Sequence, residues 1–183
     1  INPSGTPLGT PTIISPFVGT NAYYLPDVAF DGSRHLVVWA SNTKPVVNGR
    51  FVNTKGVPDK KTLDIEKGTS GELRAPAVAW GGNTYMVVWV DTRNGKHDII
   101  GAQVNSTGTV VHKNIQVAFS TKTQQPQVVY TAGRFLVTWW YSNTAKEIRG
   151  RLVNADDGKP YGPVSSFQSM SSKSKTYAIA SMG

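Results

Sequence analysis

Pro26, Pro76 and Pro126 stand fifty residues apart, and the residues that follow each proline repeat with it. Val28, Val78 and Val128 keep the same spacing, as do the aromatics Phe30, Trp80 and Tyr130 and the tryptophans Trp39, Trp89 and Trp139. Further along come Gly49, Gly101 and Gly150, then Val52-Asn53, Val104-Asn105 and Leu152-Val153-Asn154, then Gly56, Gly108 and Gly158. A period of this length means that one supersecondary unit is used several times. Such units bury their apolar surface against their neighbours, because none can do so alone. Residues 76–108 are the best-preserved copy.

Each unit carries four strand signals. The first, VAF, VAW or VVY after the proline, ends at Asp31-Gly32, Gly81-Gly82-Asn83 or Thr131-Ala132-Gly133, which supply the positive φ of tight hairpins. The second, HLVVW, YMVVW or FLVTW, is apolar on both of its faces and so requires cover on both sides. A variable polar loop leads to the third, VNGRFV, IIGAQV or IRGRLV, whose glycine is expected to admit a close neighbouring strand. An Asn-led turn then gives a weaker fourth strand around Ile65, Val117 or Phe167. No segment has a sustained helical period, so the expected fold is all-β.

Four short antiparallel strands at this period describe the blade of a β-propeller, with blades stacked around an axis. Alternation puts His35, Val37 and Trp39 on one face of the second strand and Leu36 and Val38 on the other. The repeated tryptophans are therefore expected in the core between blades. The chain divides into blades at 26–75, 76–125 and 126–175, with 1–25 as the outer part of a blade and 176–183 as the inner strand of a further one. Ile1-Asn2-Pro3-Ser4-Gly5 aligns with Val52-Asn53-Thr54-Lys55-Gly56, which predicts a fourth strand around Ile13 and Ile14, and Tyr177–Gly183 aligns with a first strand. Three full repeats plus split parts of a further blade imply part of a larger or multi-chain propeller. Another chain, or a missing segment of this one, is expected to complete the split blade, since open apolar faces and strand edges are avoided.

The composition, 39% hydrophobic and 16% charged, is that of a folded chain. No apolar run approaches the roughly 18–20 residues that cross a bilayer. An Ile at position 1 with no basic-then-apolar leader is expected of a chain trimmed from something longer. The absence of cysteine excludes disulfides, thiolate metal sites and thiol catalysis. Nineteen basic residues against eleven acidic give a net charge of +8, but they are spread along the chain with no Arg-rich segment or recognition helix. Nucleic acid is thus not the expected partner. Richness in Thr, Ser, Asn and Gly points to an extracellular or cell-surface location.

The motifs P-x-V-A-x-x-G, then h-h-V-V-W with h hydrophobic, then D-T-R-N-G-K-H-D-I-I-G, resemble the repeats of large bacterial and archaeal extracellular proteins, those with TolB-like or sialidase-like propeller blades. The resemblance covers about residues 26–183 and is closest in the middle unit; the outer units replace the D-x-R-N-G-x-x-D loop by SNTKP and SNTAKE. It implies a secreted or surface scaffold and no particular reaction.

In such a blade the second-to-third loops (40–46, 90–98, 140–147) and the crossovers (15–25, 66–75, 119–125, 168–176) share one end, while the short turns share the other. Variable loops on a rigid scaffold are where binding resides. The binding candidates are Trp140 and Tyr141, Tyr23 and Tyr24, whose rings could stack on a sugar, and the loop cations Arg93 and Lys96. The counterparts of Trp140 are Ala40 and Val90, so it is either a gained platform or an edge contact with a neighbouring blade. Asp91, Asn94 and Asp98 lack the oxygen density of a calcium loop and are expected to shape a turn, with Asp98 paired to an Arg or Lys. His35, His97 and His112, read as lying in a buried strand, a loop and a turn region, form neither a nucleophile triad nor a zinc set. No catalytic residue, metal or cofactor is assigned.

Three functions remain open. The first is a non-catalytic extracellular binding or scaffold propeller that recognises carbohydrate or a protein partner through the variable-loop face. The second is a segment of a secreted glycoside hydrolase or peptidase, and the third is a structural subunit of a surface layer or fibre.

Overall fold

The computed structural model describes residues 4, 9–15, 23–41, 45–142, 146–169, 179 and 180, with the backbone alone at 23, 24, 168 and 169. Twelve strands form three four-stranded antiparallel sheets, each a simple meander in chain order. The first sheet holds β1 (Tyr23–Phe30), β2 (Arg34–Ser41), β3 (Val46–Asn53) and β4 (Leu63–Lys67). The second holds β5 (Leu73–Trp80), β6 (Thr84–Asp91), β7 (Asp98–Asn105) and β8 (Val110–Ala118). The third holds β9 (Thr123–Thr131), β10 (Arg134–Tyr141), β11 (Glu147–Asn154) and β12 (Pro160–Ser169). The described residues contain no helix, and none therefore long and apolar enough to cross a membrane. The four strands per repeat and the all-β class are as the sequence predicts.

Several of the turns share one device, a carboxylate or amide oxygen that accepts from the main chain just ahead of it. Asp31 Oδ1 accepts from the N–H groups of Ser33 and Arg34 at 2.7 and 2.8 Å. Asn53 Oδ1 accepts from Lys55 and Val57, and Asn105 Oδ1 from Thr107 and Thr109, which closes the third-to-fourth turns of two sheets in the same way. At the repeated glycines side chains approach, and at two of them the neighbouring strand does so as expected: a Cβ on Gly101 would lie 3.0 Å from Val87 O of β6, and one on Gly150 2.9 Å from Val137 O of β10. A Cβ on Gly49 would lie 2.9 Å from Ile65 Cδ1, one on Gly101 2.6 Å from Met86 Cε and one on Gly150 2.5 Å from Phe167 Cε2.

The sheets pack face to face through the two faces of their second strands. Leu36 and Val38 meet Tyr85, Val87 and Trp89 in one core, while Met86, Val88 and Val90 meet Phe135, Val137 and Trp139 in the next. β6 is thus covered on both sides, which is what its unbroken apolar run demands. Trp89 and Trp139 lie between sheets, whereas Trp39 is buried on the face of the first sheet turned away from the second. Polar ties cross the same interfaces. Asp27 Oδ2 accepts from Val78 N–H at 2.8 Å, and the buried Gln103 donates to Ala155 O at 2.9 Å while its Oε1 meets His112 Nδ1 at 2.6 Å. His112 belongs to β8 and not, as expected, to a turn region.

The first strand of each sheet departs from expectation. Each begins three residues before its proline, at Tyr23, Leu73 and Thr123, and each is bulged at the proline. The residue before each proline, Leu25, Ala75 or Gln125, has a positive φ of 39°, 49° and 49° respectively. A bulge opposes two residues to one and bends the strand. β5 packs against both β1 and β9, and residues of all three line common depressions at both ends, so these strands surround one axis.

Residues 10–14 are not strand, contrary to the expectation at Ile13 and Ile14. Their position nevertheless follows the repeat. Arg50 Nη1 donates to Ile14 O at 2.7 Å as Arg151 Nη1 donates to Val117 O of the preceding sheet at 3.2 Å. Of the expected inner strand at 176–183 only residues 179 and 180 are described; they carry no strand pairing, and Ala180 lines the axial depression beside Phe30 and Tyr130. The remainder of that expected strand lies outside the described residues.

Candidate functional site

At the end of the axis shared by the loops and crossovers, the three proline bulges converge on an open depression of about 250 Å³. Leu25-Pro26-Asp27, Ala75-Pro76-Ala77 and Gln125-Pro126-Gln127 form its wall, one tripeptide from each sheet. A second hollow of about 220 Å³ adjoins it, where Leu25, Ala75 and Gln125 are joined by Arg74, Val90 and Gln124. The shape is a consequence of the backbone. A left-handed residue before a proline turns the strand out of its ladder, and three such turns open the mouth of the axis.

The lining is mixed in chemistry. Prolines, alanines and the exposed Leu25 give an apolar floor, while the Gln side chains and Arg74 give donors and acceptors at its edge. Arg74 is held from two sides: Nη1 lies 3.3 Å from Glu72 Oε2 and Nη2 3.3 Å from the His97 ring. Asp27 supplies the one carboxylate among the described lining residues. Both of its oxygens accept from main-chain N–H groups, those of Val28 at 2.9 Å and Val78 at 2.8 Å, so it is a structural tie between β1 and β5.

The residues singled out from the sequence are not gathered into one site. Trp140 is 4% exposed, on the face of β10 opposite Trp139, which leaves no free ring surface for a ligand to stack on. Tyr141 is half-buried beneath Arg149, whose guanidinium carbon stands 3.7 Å from the ring centroid. Arg149 Nε in turn donates to Glu147 at 2.9 Å, and with Ser166 it holds that carboxyl below the usual carboxylate range. Tyr23 and Tyr24 pair with Ser41 and Ala40 at the start of β1, close to the depression in sequence; their side chains lie outside the described part of the structure.

The loop of the best-preserved unit is a clamp. Arg93 donates to both oxygens of Asp91 and, at 2.8 Å, to Glu66 Oε1 of the first sheet. These bonds, Asp91 first, hold its pKa above the ordinary arginine value, so it is a permanent cation fixed in place. Among the described residues Asp98 pairs with no Arg or Lys: Asn94 Nδ2 donates to it at 2.7 Å and Ser120 N–H at 2.9 Å. Those bonds are needed because Asp91 and Asp98 sit directly opposite each other in the β6–β7 ladder, where like charges repel. Lys96 is exposed at the loop tip, with its main-chain N–H bonded to Asn94 Oδ1 at 3.0 Å. Among the described residues no group of three or more His, Cys, Asp or Glu side chains could hold a metal ion.

The axial depression itself was missed in the sequence. Its signal is the pre-proline residue, which varies from Leu to Ala to Gln where the surrounding landmarks do not. No family model matches this chain, and no curated protein matches it.

Proposed function

We propose that this chain is a non-catalytic binding protein in which the three sheets act as blades of a β-propeller and the loop-end mouth of their axis takes a neutral carbohydrate segment. One observation carries the reading: the backbone of the mouth is the same in all three sheets while its side chains differ. Each bulge keeps a non-glycine residue at positive φ, a conformation that costs of order 1 kcal/mol or more and that clusters where function constrains the chain. The side chains on that constant frame are Leu25 and Asp27, Ala75 and Ala77, Gln125 and Gln127. Several core positions, by contrast, keep their residue type in all three units, as at Val37, Val87 and Val137 and at Trp39, Trp89 and Trp139.

The lining suits a sugar. Ring C–H faces pack on proline and Leu25, and hydroxyls pair with the Gln amides and the fixed guanidinium of Arg74. Hydrolysis of a glycosidic bond uses two poised carboxyl groups. Asp27, the only carboxylate among the described lining residues, is committed to main-chain donors, which favours binding over a hydrolase. An extracellular or cell-surface setting agrees with this ligand and with the Thr-, Ser- and Asn-rich composition.

The test is a glycan array followed by calorimetry on the full chain. Saturable binding of a neutral oligosaccharide is expected, weakened at least about tenfold by Arg74→Ala and by Gln125→Ala, a loss of about 1.4 kcal/mol. A blank array, or affinity unchanged in both variants, contradicts the proposal.

A further inference from the structure

An asparagine followed by glycine is the dipeptide most prone to lose its side-chain amide, because glycine puts no side chain in the way of ring closure and its backbone turns freely. The chain contains two such steps, Asn48-Gly49 and Asn94-Gly95. The fold treats them oppositely. Asn48 and Gly49 lie inside β3, paired on one side to Trp39 and Val38 of β2 and on the other to Asp64 and Leu63 of β4. Gly49 is buried, and a Cβ on it would meet Ile65 at 2.9 Å and Leu36 at 3.1 Å. A strand held by two ladders cannot turn its backbone toward ring closure without opening the sheet.

Asn94 and Gly95 instead form the exposed tip of the β6–β7 loop, with Gly95 at a φ of 75° and nothing within 4 Å of its Cβ position. Among the described residues three hydrogen bonds restrain them. Gly95 N–H donates to Thr92 O at 2.9 Å, Lys96 N–H to Asn94 Oδ1 at 3.0 Å and Asn94 Nδ2 to Asp98 Oδ2 at 2.7 Å. Breaking them opens a loop tip, not a sheet.

We propose that Asn94 is a site of spontaneous deamidation and that the reaction loosens the Arg93 loop from within. The main-chain nitrogen of Gly95 gives up its proton to hydroxide and attacks Asn94 Cγ. The new C–N bond closes a succinimide as the bond to Nδ2 breaks, and ammonia leaves with a proton taken from water. Water then adds to one of the two imide carbonyls and opens the ring, giving aspartate or isoaspartate at position 94. Water enters and ammonia departs, with no change of oxidation state. The product reverses the role of the side chain, since Asn94 donates to Asp98, a carboxylate 2% exposed that faces Asp91 across the β6–β7 ladder. A carboxylate at position 94 removes that donor and brings a third negative charge to the base of the loop, where Arg93 already binds Asp91. Like charges held together away from water disfavour the closed loop. The same loop carries His97 to Arg74 at the axial mouth, 3.3 Å from Nη2, so the change reaches the edge of the candidate site. The inference is independent of what binds there.

The test is peptide mapping by mass spectrometry of the full chain held in mildly alkaline buffer, both native and in urea. In urea, where neither step is structured, Asn48 and Asn94 should deamidate at similar rates. In the native chain Asn94 should react at least about tenfold faster than Asn48, because a loop tip opens locally and β3 opens only with its sheet. Arg93→Ala, which frees the loop, should speed the reaction at Asn94 more than at Asn48. Asn94→Asp, the product of direct ring opening, should melt below the parent at neutral pH, and the gap should close below about pH 4, where carboxylates take up protons. The inference is overturned if native Asn48 reacts as fast as Asn94, if Asn94 stays intact in the native chain while it reacts in urea, or if Asn94→Asp melts with the parent at neutral pH.

Discussion

Phe135 on β10 lies so close to Gly81 that a Cβ on that glycine would stand 2.4 Å from its Cζ. One interface earlier, Tyr85 takes the place of Phe135 and Asp31 that of Gly81. There the Tyr85 hydroxyl donates to Arg34 O at 3.3 Å beside the Asp31 carboxylate. Burial first, and then the bond with Asp31, push the Tyr85 hydroxyl pKa upward, so the group stays protonated and donates. Each aromatic is matched to its own turn. Gly81→Ala should therefore destabilise by about 1–3 kcal/mol through overpacking, and Phe135→Leu in the same chain should recover part of that loss. Thermal melting of the single and double variants measures the coupling, which is absent if the two residues are independent.

The Arg93 clamp predicts a different kind of loss. Arg93→Ala removes bonds to Asp91 and to Glu66 and leaves Asp91 facing Asp98 without its counter-ion. A cost of about 2 kcal/mol is expected, and Arg93→Lys should not restore it, because an ammonium cannot reproduce the forked contact. Lys96→Ala should stay within about 0.5 kcal/mol of the parent. Urea unfolding of the three variants decides whether Arg93 is a structural tie, as described, or a loop cation like Lys96.

Tryptophan truncation separates packing from surface. Trp89→Ala and Trp140→Ala should each cost about 3–5 kcal/mol, because both rings are buried. Trp89 Nε1 has no acceptor in its buried position. Trp89→Phe removes that unpaired donor and should cost distinctly less than truncation to alanine. A Trp140→Ala variant with parental stability would show instead that this ring lies open on the surface.

Asp31 gives a pH dependence with a definite sign. Burial acts to raise its pKa, but the N–H groups of Arg34 and Ser33 and the Ser33 hydroxyl outweigh it and hold the carboxyl below its ordinary value. A folded value below the unfolded value, about 3.9, means that the stabilisation is complete above the unfolded pKa. It is lost as pH falls through the folded one. Asp31→Asn keeps an acceptor oxygen in the turn and removes the charge. The stability difference between parent and variant should be constant from about pH 7 to pH 5 and shrink below about pH 4. A difference that grows on acidification would contradict the assignment.

The sheets were legible because packing imposes its period on the sequence. Val78, Trp89 and Trp139 and the Asn-led turns recur where one sheet meets the next or one strand reverses, and the alternation along YMVVW already tells that both faces of β6 are covered. The bulges were not legible, because an extended strand start and a left-handed bulge before proline accept the same residues, here Leu, Ala and Gln. The candidate site suffered for the same reason. Trp140 and Arg93 drew notice by residue type, yet a ring or a guanidinium serves the core and the ligand alike, and only its neighbours decide. Ile13 and Ile14 align with a strand but lack a described neighbouring strand to pair with, and strand structure needs one.

The most direct measurement of the central claim is hydrogen–deuterium exchange on the full chain with and without a bound neutral oligosaccharide. The account predicts that protection appears together in the three proline bulges, at residues 25–27, 74–77 and 124–127, because one ligand in the axial mouth touches all three. Protection confined to the short-turn end of the sheets, or no change at any of the bulges in the presence of a bound oligosaccharide, would contradict it.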